Sequence, residues 1–288
     1  MCETRGFCDL NVPFDDNIDA KIAQLSKLGY TTVAVNVTVS QDDLTTKTRQ
    51  NHGKKAKLSA EAEKKLLDFP SPPSLSARTD GVAVLTRLTI AFKDNNFIPI
   101  FNNSQAAKSY DLVALIPSSA KALQDLLKSS MTADIVSFVP ESAADVRWTR
   151  KLYTDCVARH MFFELCYAPC IRDATARRRT ISQAHNYHAA GKSRNVILCG
   201  GAERVAELRG PHDAANLGFL FGLNEHQGRL AVGAMGLKAV RAAAGRKLGP
   251  FRATVEDVSD LSQEDAWKVA TPSSDDESSD ESPMMSIE

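Results

Sequence analysis

No apolar run in this 288-residue chain approaches the roughly 20 residues needed to cross a bilayer, so an ordinary membrane-spanning helix is not expected. The opening Met-Cys-Glu-Thr-Arg-Gly has no basic stretch followed by an apolar one, and a secretory signal is not expected either. Its six cysteines, at 2, 8, 156, 166, 170 and 199, include no Cys-x-x-Cys pair. They read as reduced, mostly buried thiols of an intracellular protein. Gly-x-Ser-x-Gly, the P-loop, Gly-x-Gly-x-x-Gly and His-Glu-x-x-His are all missing, which removes the usual sequence grounds for a serine hydrolase, a nucleotide binder or a zinc peptidase.

An excess of charge is missing too. The 35 Lys and Arg residues balance 35 Asp and Glu, and neutrality speaks against a nucleic-acid partner, because binding phosphates calls for positive charge. The total hides a division, however. From Val255 to Glu288 there are 11 acidic residues against Lys268 alone, a net −10, so the preceding 254 residues carry +10. The chain is a moderately basic body with an acidic tail.

What is present is ordinary globular material, 43% hydrophobic and 24% charged, with enough length to bury a large core. Phe7 to Val12 is strand-like, and Asp15-Asp16-Asn17 can cap a helix carrying Ile18, Ile22, Leu25 and Leu28 before Gly29. Thr31 to Val39 is β-branched and predicts a second strand. Residues 40–80 break this rhythm with Lys54, Lys55, Lys57, Lys64 and Lys65, then Pro70, Pro72 and Pro73. They read as a polar insertion, with a short helix at Ala60 to Leu67.

Alternation resumes with strands expected at Val82 to Phe92, Ile98 to Phe101, Leu112 to Ile116, Ile135 to Val139, Phe162 to Tyr167 and Val196 to Cys199. Helices are expected at Ser119 to Lys128, Ala174 to Ala190 and Pro211 to Gly222, the last with Gly210 as cap. An alanine-rich helix follows Gly228 and ends in Arg241, Arg246, Lys247 and Arg252. Seven or eight strands alternating with helices over about 235 residues fit a β/α barrel better than two Rossmann-like halves without their glycine fingerprint. Residues 1–254 are therefore expected to form one barrel domain. Residues 255–288 are expected to be an acidic tail, disordered from Val269, where too little apolar surface exists to fold.

His185 and His188 sit three apart on a helix, but no third ligand lies nearby in sequence, and a structural or surface role is the plainer reading. Cys166 and Cys170 flank Pro169 and read as buried spectators. Gly200-Gly201 follows a strand, where backbone N–H groups can meet a phosphate, or simply make a tight turn. The basic residues say more. From Arg147 to Arg179 eight of them, including Arg172 and Arg177-Arg178-Arg179, face Asp155, Glu164 and Asp173. That net +5 suits an RNA-facing surface, since guanidinium forks match phosphates. Arg177 falls near the apolar side of its helix, leaving Arg178 and Arg179 better placed for RNA. Ser274, in Ser-Asp-Asp-Glu, and Ser278, in Ser-Ser-Asp-Glu, precede acids in the manner of acidophilic kinase sites.

Several stretches together resemble the thirty-kilodalton protein subunit of ribonuclease P: Leu85-Thr-Arg-Leu-Thr-Ile90, Tyr110-Asp-Leu-Val-Ala114, Phe163-Glu-Leu-Cys-Tyr-Ala-Pro169 and Ile171-Arg-Asp. Arg177-Arg-Arg-Thr-Ile-Ser182, Ala202-Glu-Arg204, Leu208-Arg-Gly-Pro211 and Asp213-Ala-Ala-Asn-Leu-Gly218 continue the likeness in the same order. It runs roughly from Gly6 to Ala244. The resemblance implies a TIM-like β/α barrel in a ribonucleoprotein that removes 5′ leaders from precursor tRNA, shared with ribonuclease MRP in rRNA processing. It also implies that RNA with bound magnesium performs catalysis, that the protein itself holds no cofactor, and that a small α/β subunit docks beside it. A nuclear, nucleolar location follows from the same likeness.

That barrel also resembles the polymerase and histidinol phosphatase superfamily of metal-dependent phosphoesterases, whose first strand ends in His-x-His. The matching place here is Asp9-Leu10-Asn11, a carboxylate and an amide, which bind transition metals much less well than two imidazoles. Asp9 and Asn11 are thus expected to be a vestige of a metal site. On the family motifs, Arg87, Arg172, Arg177, Arg178, Arg204 and Arg209 are the expected RNA contacts. Two rival readings remain: a phosphoesterase using Asp9 with His185 or His212, and a module whose arginines dock acidic proteins.

Overall fold

Apolar strand segments alternate with helices along most of the described chain, and the outcome is a parallel barrel. The computed structural model describes residues 6–44, 68–75, 78–79, 81–129, 131–140, 146 and 148–248. All of them lie in one compact unit, Met1–Pro250. The insertion helix expected at Ala60 to Leu67, the tail and its two serines lie outside the described residues.

The strands are β1 (Phe7–Pro13), β2 (Tyr30–Ser40), β3 (Arg78–Thr79), β4 (Val82–Phe92), β5 (Leu112–Pro117), β6 (Ile135–Val136), β7 (Phe162–Cys166) and β8 (Val196–Cys199). Seven run parallel in the order β1-β2-β4-β5-β6-β7-β8, and the two-residue β3 pairs antiparallel with β4. Two hydrogen bonds reach from the end of β8 to β1. Gly200 N–H donates to Asp9 Oδ1 (3.0 Å) and Gly201 N–H to the Asn11 carbonyl (2.9 Å), so the barrel is nearly closed. These N–H groups, weighed above as a phosphate cradle, are spent on that seam.

The helices are α1 (Ile18–Lys27), α2 (Ile98–Asn103), α3 (Gln105–Ser109), α4 (Ala120–Lys128), α5 (Arg150–Ala158), α6 (Ala168–Arg172), α7 (Ala174–Gly191), α8 (Pro211–Leu217), α9 (Glu225–Val232) and α10 (Ala234–Leu248). Side-chain caps at Ser119, Thr149 and Asp173 fix the starts of α4, α5 and α7, each satisfying an otherwise orphaned N–H. The expected strand at Ile98 to Phe101 is instead a helix with Pro99 in its first turn, where proline's missing N–H costs nothing. The alanine-rich stretch is two helices broken at Gly233. The end of the insertion is docked: Phe69 is buried in the core and Tyr110 Oη donates to the Pro70 carbonyl (3.1 Å).

Between sheet and helices lies the larger core, in which Tyr153 stacks on Phe163 at 3.9 Å. A second core fills the lower barrel, where Cys8, Leu10, Ala34, Leu112, Ala114, Ile135, Phe162 and Ile197 meet Ala239 and Ala243 of α10. Helix α10 is pinned there by charge. Arg246 binds Asp134 through Nε (3.1 Å) and Nη2 (3.0 Å), and Lys247 Nζ binds Asp111 Oδ1 at 2.7 Å. Asp111 and Asp134 immediately precede β5 and β6, so α10 plugs the N-terminal end of the barrel and leaves the other end for function.

Candidate functional site

The upper interior of the barrel is polar and centred on one arginine whose nitrogens are all hydrogen-bonded. Arg87 on β4 and Glu164 on β7 are separated by β5 and β6 in the sheet, so their direct bonds cross the inside of the barrel. Nη1 meets Oε1 at 2.6 Å and Nη2 meets Oε2 at 2.7 Å, with neither side chain exposed. Arg87 also donates to the Leu10 carbonyl (2.7 Å) and to Thr89 Oγ1 (3.1 Å), and Ser137 Oγ donates to Glu164. Burial alone would raise the Glu164 carboxyl, but the Arg87 charge and its hydrogen bonds hold it below the usual range. The expectation that Arg87 contacts RNA is therefore wrong: its guanidinium is sealed inside the barrel, its forks filled by a carboxylate.

The network continues through Thr89 Oγ1 to Asn36 Oδ1 (2.6 Å), Asn36 Nδ2 to Asn11 Oδ1 (2.8 Å) and Asn11 Nδ2 to Cys166 Sγ (3.4 Å). Asn11 is thus a connector. Asp9 has a different task, for its Oδ1 accepts the N–H groups of Gly200 and Asn11 at the seam. Its Oδ2 is buried without a hydrogen-bond partner among the described residues. Burial raises its pKa to about 6, only partly offset by those two N–H groups.

Neither rival histidine joins Asp9. His185 lies beside Gly222, and His212 packs edge-on against Phe7 at 5.2 Å. Among the described residues no three His, Cys, Asp or Glu side chains gather as metal ligands. The five described cysteines are buried, and burial pushes the Cys8 and Cys156 thiols up to about 12. Such thiols are inert.

The other predicted arginines gather where the chain leaves β7 and β8, on the C-terminal rim that carries sites in β/α barrels. Arg172 ends α6, Arg177 and Arg178 open α7, and Arg204 and Arg209 lie in the connection after β8. Arg178 is exposed and has no ion pair with a described residue. Arg177 is also exposed, and its Nε donates to the Cys170 carbonyl at 2.8 Å. Arg209 is half-buried; its N–H donates to Tyr167 Oη (3.1 Å) and Nη1 to the Ala206 and Leu208 carbonyls (2.9 Å each). Arg172 pairs with Glu203 and lies 3.9 Å from Glu207, while Arg204 Nε binds Glu207 at 2.8 Å.

Sequence reasoning missed two participants, Glu203 and Glu207, and set Arg179 toward RNA without its backbone partner. Arg179 donates to the Pro140 carbonyl (2.9 Å) and so ties α7 to the loop after β6. Glu203 and Glu207 organise two of the arginines. Only the Arg204–Glu207 spacing of three was visible in the sequence, as an ordinary local pair.

Comparisons with known proteins agree with this architecture. A family model described as RNase P subunit p30 matches residues 6–248. The ribonuclease P protein subunit p30 of Mus musculus is 35% identical over 233 residues, covering 78% of this chain and 81% of the mouse protein. The ribonuclease P/MRP protein subunit RPP1 of Saccharomyces cerevisiae is 26% identical over 214 residues, covering 70% and 68%. A chain in the cryo-EM structure of archaeal ribonuclease P with mature tRNA superposes with a TM-score of 0.60 at 14% identity, covering 87% of this chain and 97% of that one. This last likeness establishes a shared fold. With a matching model across nearly all of the barrel, the chain belongs to the ribonuclease P subunit p30 family.

Proposed function

We propose that the chain is an RNA-binding scaffold subunit of nuclear ribonuclease P, shared with ribonuclease MRP, and that it performs no chemistry itself. In this reading the holoenzyme's RNA, with magnesium, cleaves precursor tRNA and MRP acts on rRNA precursors. The barrel stabilises the RNA fold and docks a small α/β subunit, and the assembly works in the nucleus and nucleolus. The observation that carries the reading is the arginine-bearing rim on a chain of this family. Arg178 offers a whole guanidinium fork to a phosphate, and Arg177 and Arg204 keep part of theirs exposed. Inside the barrel, by contrast, the Arg87 fork is filled by Glu164.

Sequencing RNA that co-purifies with the tagged full-length chain tests this directly, with ribonuclease P and MRP RNAs expected to dominate. In a salt series with the cognate RNA, Arg178→Ala should lower the slope of log affinity against log salt by about 0.7 to 0.9, the share of one phosphate contact. An unchanged slope would remove Arg178 from the contact surface. The phosphoesterase reading predicts something else: turnover of a model phosphodiester by the protein with manganese and no RNA, abolished by Asp9→Ala. Such turnover would overturn the scaffold reading.

A further inference from the structure

Four charged side chains meet where the chain leaves β7 and β8, and they are not equivalent. The Glu207 side chain is 6% exposed, and its Oε1 receives Arg204 Nε at 2.8 Å with Arg172 Nε 3.9 Å away. Its Oε2 accepts the backbone N–H groups of Glu203 (3.1 Å) and Arg204 (3.4 Å). Two guanidinium groups thus converge on one buried carboxylate oxygen through their Nε atoms. Arg172 has a further partner for Nη1 in Glu203, and Arg204 remains largely exposed.

Glu203 is placed quite differently. Its side chain is 64% exposed, and its carboxylate pairs with Nη1 of Arg172. The four residues sum to zero charge, although two of the six arginines expected to meet RNA are among them. A planar guanidinium fork accepts carboxylate and phosphate oxygens in the same geometry. The pair has one exposed member, Glu203, beside an Arg172 side chain that is 23% exposed, so water screens it from the Glu203 side.

We propose that Arg172 and Arg204 form a two-pronged seat for an RNA phosphodiester, in which the Glu203 carboxylate occupies the Arg172 prong until a phosphate displaces it. This rests on the RNA-binding reading above and deepens it. Glu207 is the permanent positioning residue, buried and bonded on both oxygens, and Glu203 is the exchangeable one. The arrangement makes the seat electrically silent toward anions that cannot also engage Arg204. A backbone whose phosphate reaches both prongs exchanges one half-exposed pair for a bidentate contact.

The decisive feature is that two acids four residues apart should act in opposite senses. The experiment measures affinity of the full-length chain for its ribonuclease P RNA across a salt series, for wild type, Glu203→Gln and Glu207→Gln. Glu203→Gln should tighten binding about threefold to fivefold at low salt, the size of a water-screened ion pair. Glu207→Gln should weaken binding, because it frees both arginines from their anchor even though it too removes a negative charge. In an Arg172→Ala background the gain from Glu203→Gln should vanish.

Tightening by both glutamine variants would mean that bulk charge alone matters, and the seat would be wrong. A Glu203→Gln gain that persists without Arg172 would overturn it equally, as would no gain at all. Wild-type protein that shows no salt-dependent RNA binding would instead sink the RNA-binding reading itself. Thermal melts of each variant separate weakened binding from unfolding, and Glu203→Gln, at an exposed position, keeps the proposal testable whatever the others do.

Discussion

Arg87 and Glu164 grip each other across the barrel interior through two parallel bonds of 2.6 and 2.7 Å, with no part of either side chain exposed. Removing one partner leaves a buried charge uncompensated. Arg87→Ala should destabilise the fold by about 3–5 kcal/mol in denaturant unfolding. Lysine should rescue little, since a point charge cannot hold both carboxylate oxygens and the Leu10 carbonyl together. The double replacement Arg87→Met with Glu164→Leu should recover most of the loss, though not all, because Ser137 and Thr89 lose partners. A loss below about 1 kcal/mol for Arg87→Ala would show that solvent reaches the pair.

Asp9 carries the opposite kind of burial, a carboxylate with one oxygen unserved. Its folded pKa is raised from 3.8 to about 6, chiefly by burial and further by the Glu164 charge, against the opposing hydrogen bonds. The native state therefore takes up a proton that the unfolded state has already released. This group's contribution favours folding below that window, is lost as pH rises from about 4 to 6, and stays lost above. The full penalty is roughly 3 kcal/mol at 1.36 kcal/mol per unit. Glu164, lowered by Arg87, titrates with the opposite sign, so the wild-type profile alone is ambiguous. The difference between wild type and Asp9→Asn is not. An amide keeps an acceptor for Gly200 and Asn11, so Asp9→Asn should equal or exceed wild type above pH 6 and lose its advantage toward pH 4. Parallel profiles would show that Asp9 is not the titrating group.

Much of the barrel was legible because many of its strands and helices have a local signature: β-branched runs, the glycine stop at Gly29, and Gly210 before Pro211. The helices Gln105–Ser109 and Arg150–Ala158 had none strong enough. The failures are local ambiguities settled by distant partners. Ile98 to Phe101 is a short apolar run, which periodicity cannot divide between strand and helix; only the proline hinted at a first turn. The family motif points Arg87 toward RNA. Yet in a parallel barrel strand both faces are buried, so an arginine between Thr86 and Leu88 needed an interior partner. That partner, Glu164, stands 77 positions away and nothing local identifies it. The RNA-facing rim was read from arginine density. Its two organising acids were not, because Glu203 and Glu207 look like any surface pair until the fold brings Arg172 to them.

Helix α10 closes the barrel at the cost of a contact that admits only glycine. A Cβ added at Gly236 would lie 2.3 Å from Cys8 Sγ, and Cys8 is buried on β1. Gly236→Ala should therefore destabilise the protein by about 1–3 kcal/mol, the usual cost of overpacking. In a Cys8→Ala background the obstructing sulfur is gone, and the same substitution should turn neutral or stabilising by up to about 1 kcal/mol through helix propensity. Such a change of sign in a double-mutant cycle is diagnostic of direct contact. Additive effects would place α10 elsewhere.

The acidic C-terminal stretch carries a net −10 against the +10 of the residues before it. Truncation after Lys268 removes six acidic residues and no basic ones, so the remaining chain is strongly positive. If the tail competes with RNA for the basic body, the truncated protein should bind a non-cognate homopolymer RNA more tightly at low salt. The difference should fade as added ions shorten the screening length. Phosphorylation at Ser274 and Ser278 adds about 1.5 to 2 negative charges each and should push the full-length protein the other way. Cognate RNA should respond less, since contacts fixed by shape are displaced less readily than counterion-driven ones. Equal homopolymer affinity with and without the tail would leave it a solubilising appendage, and the +10 of the body would then act unopposed.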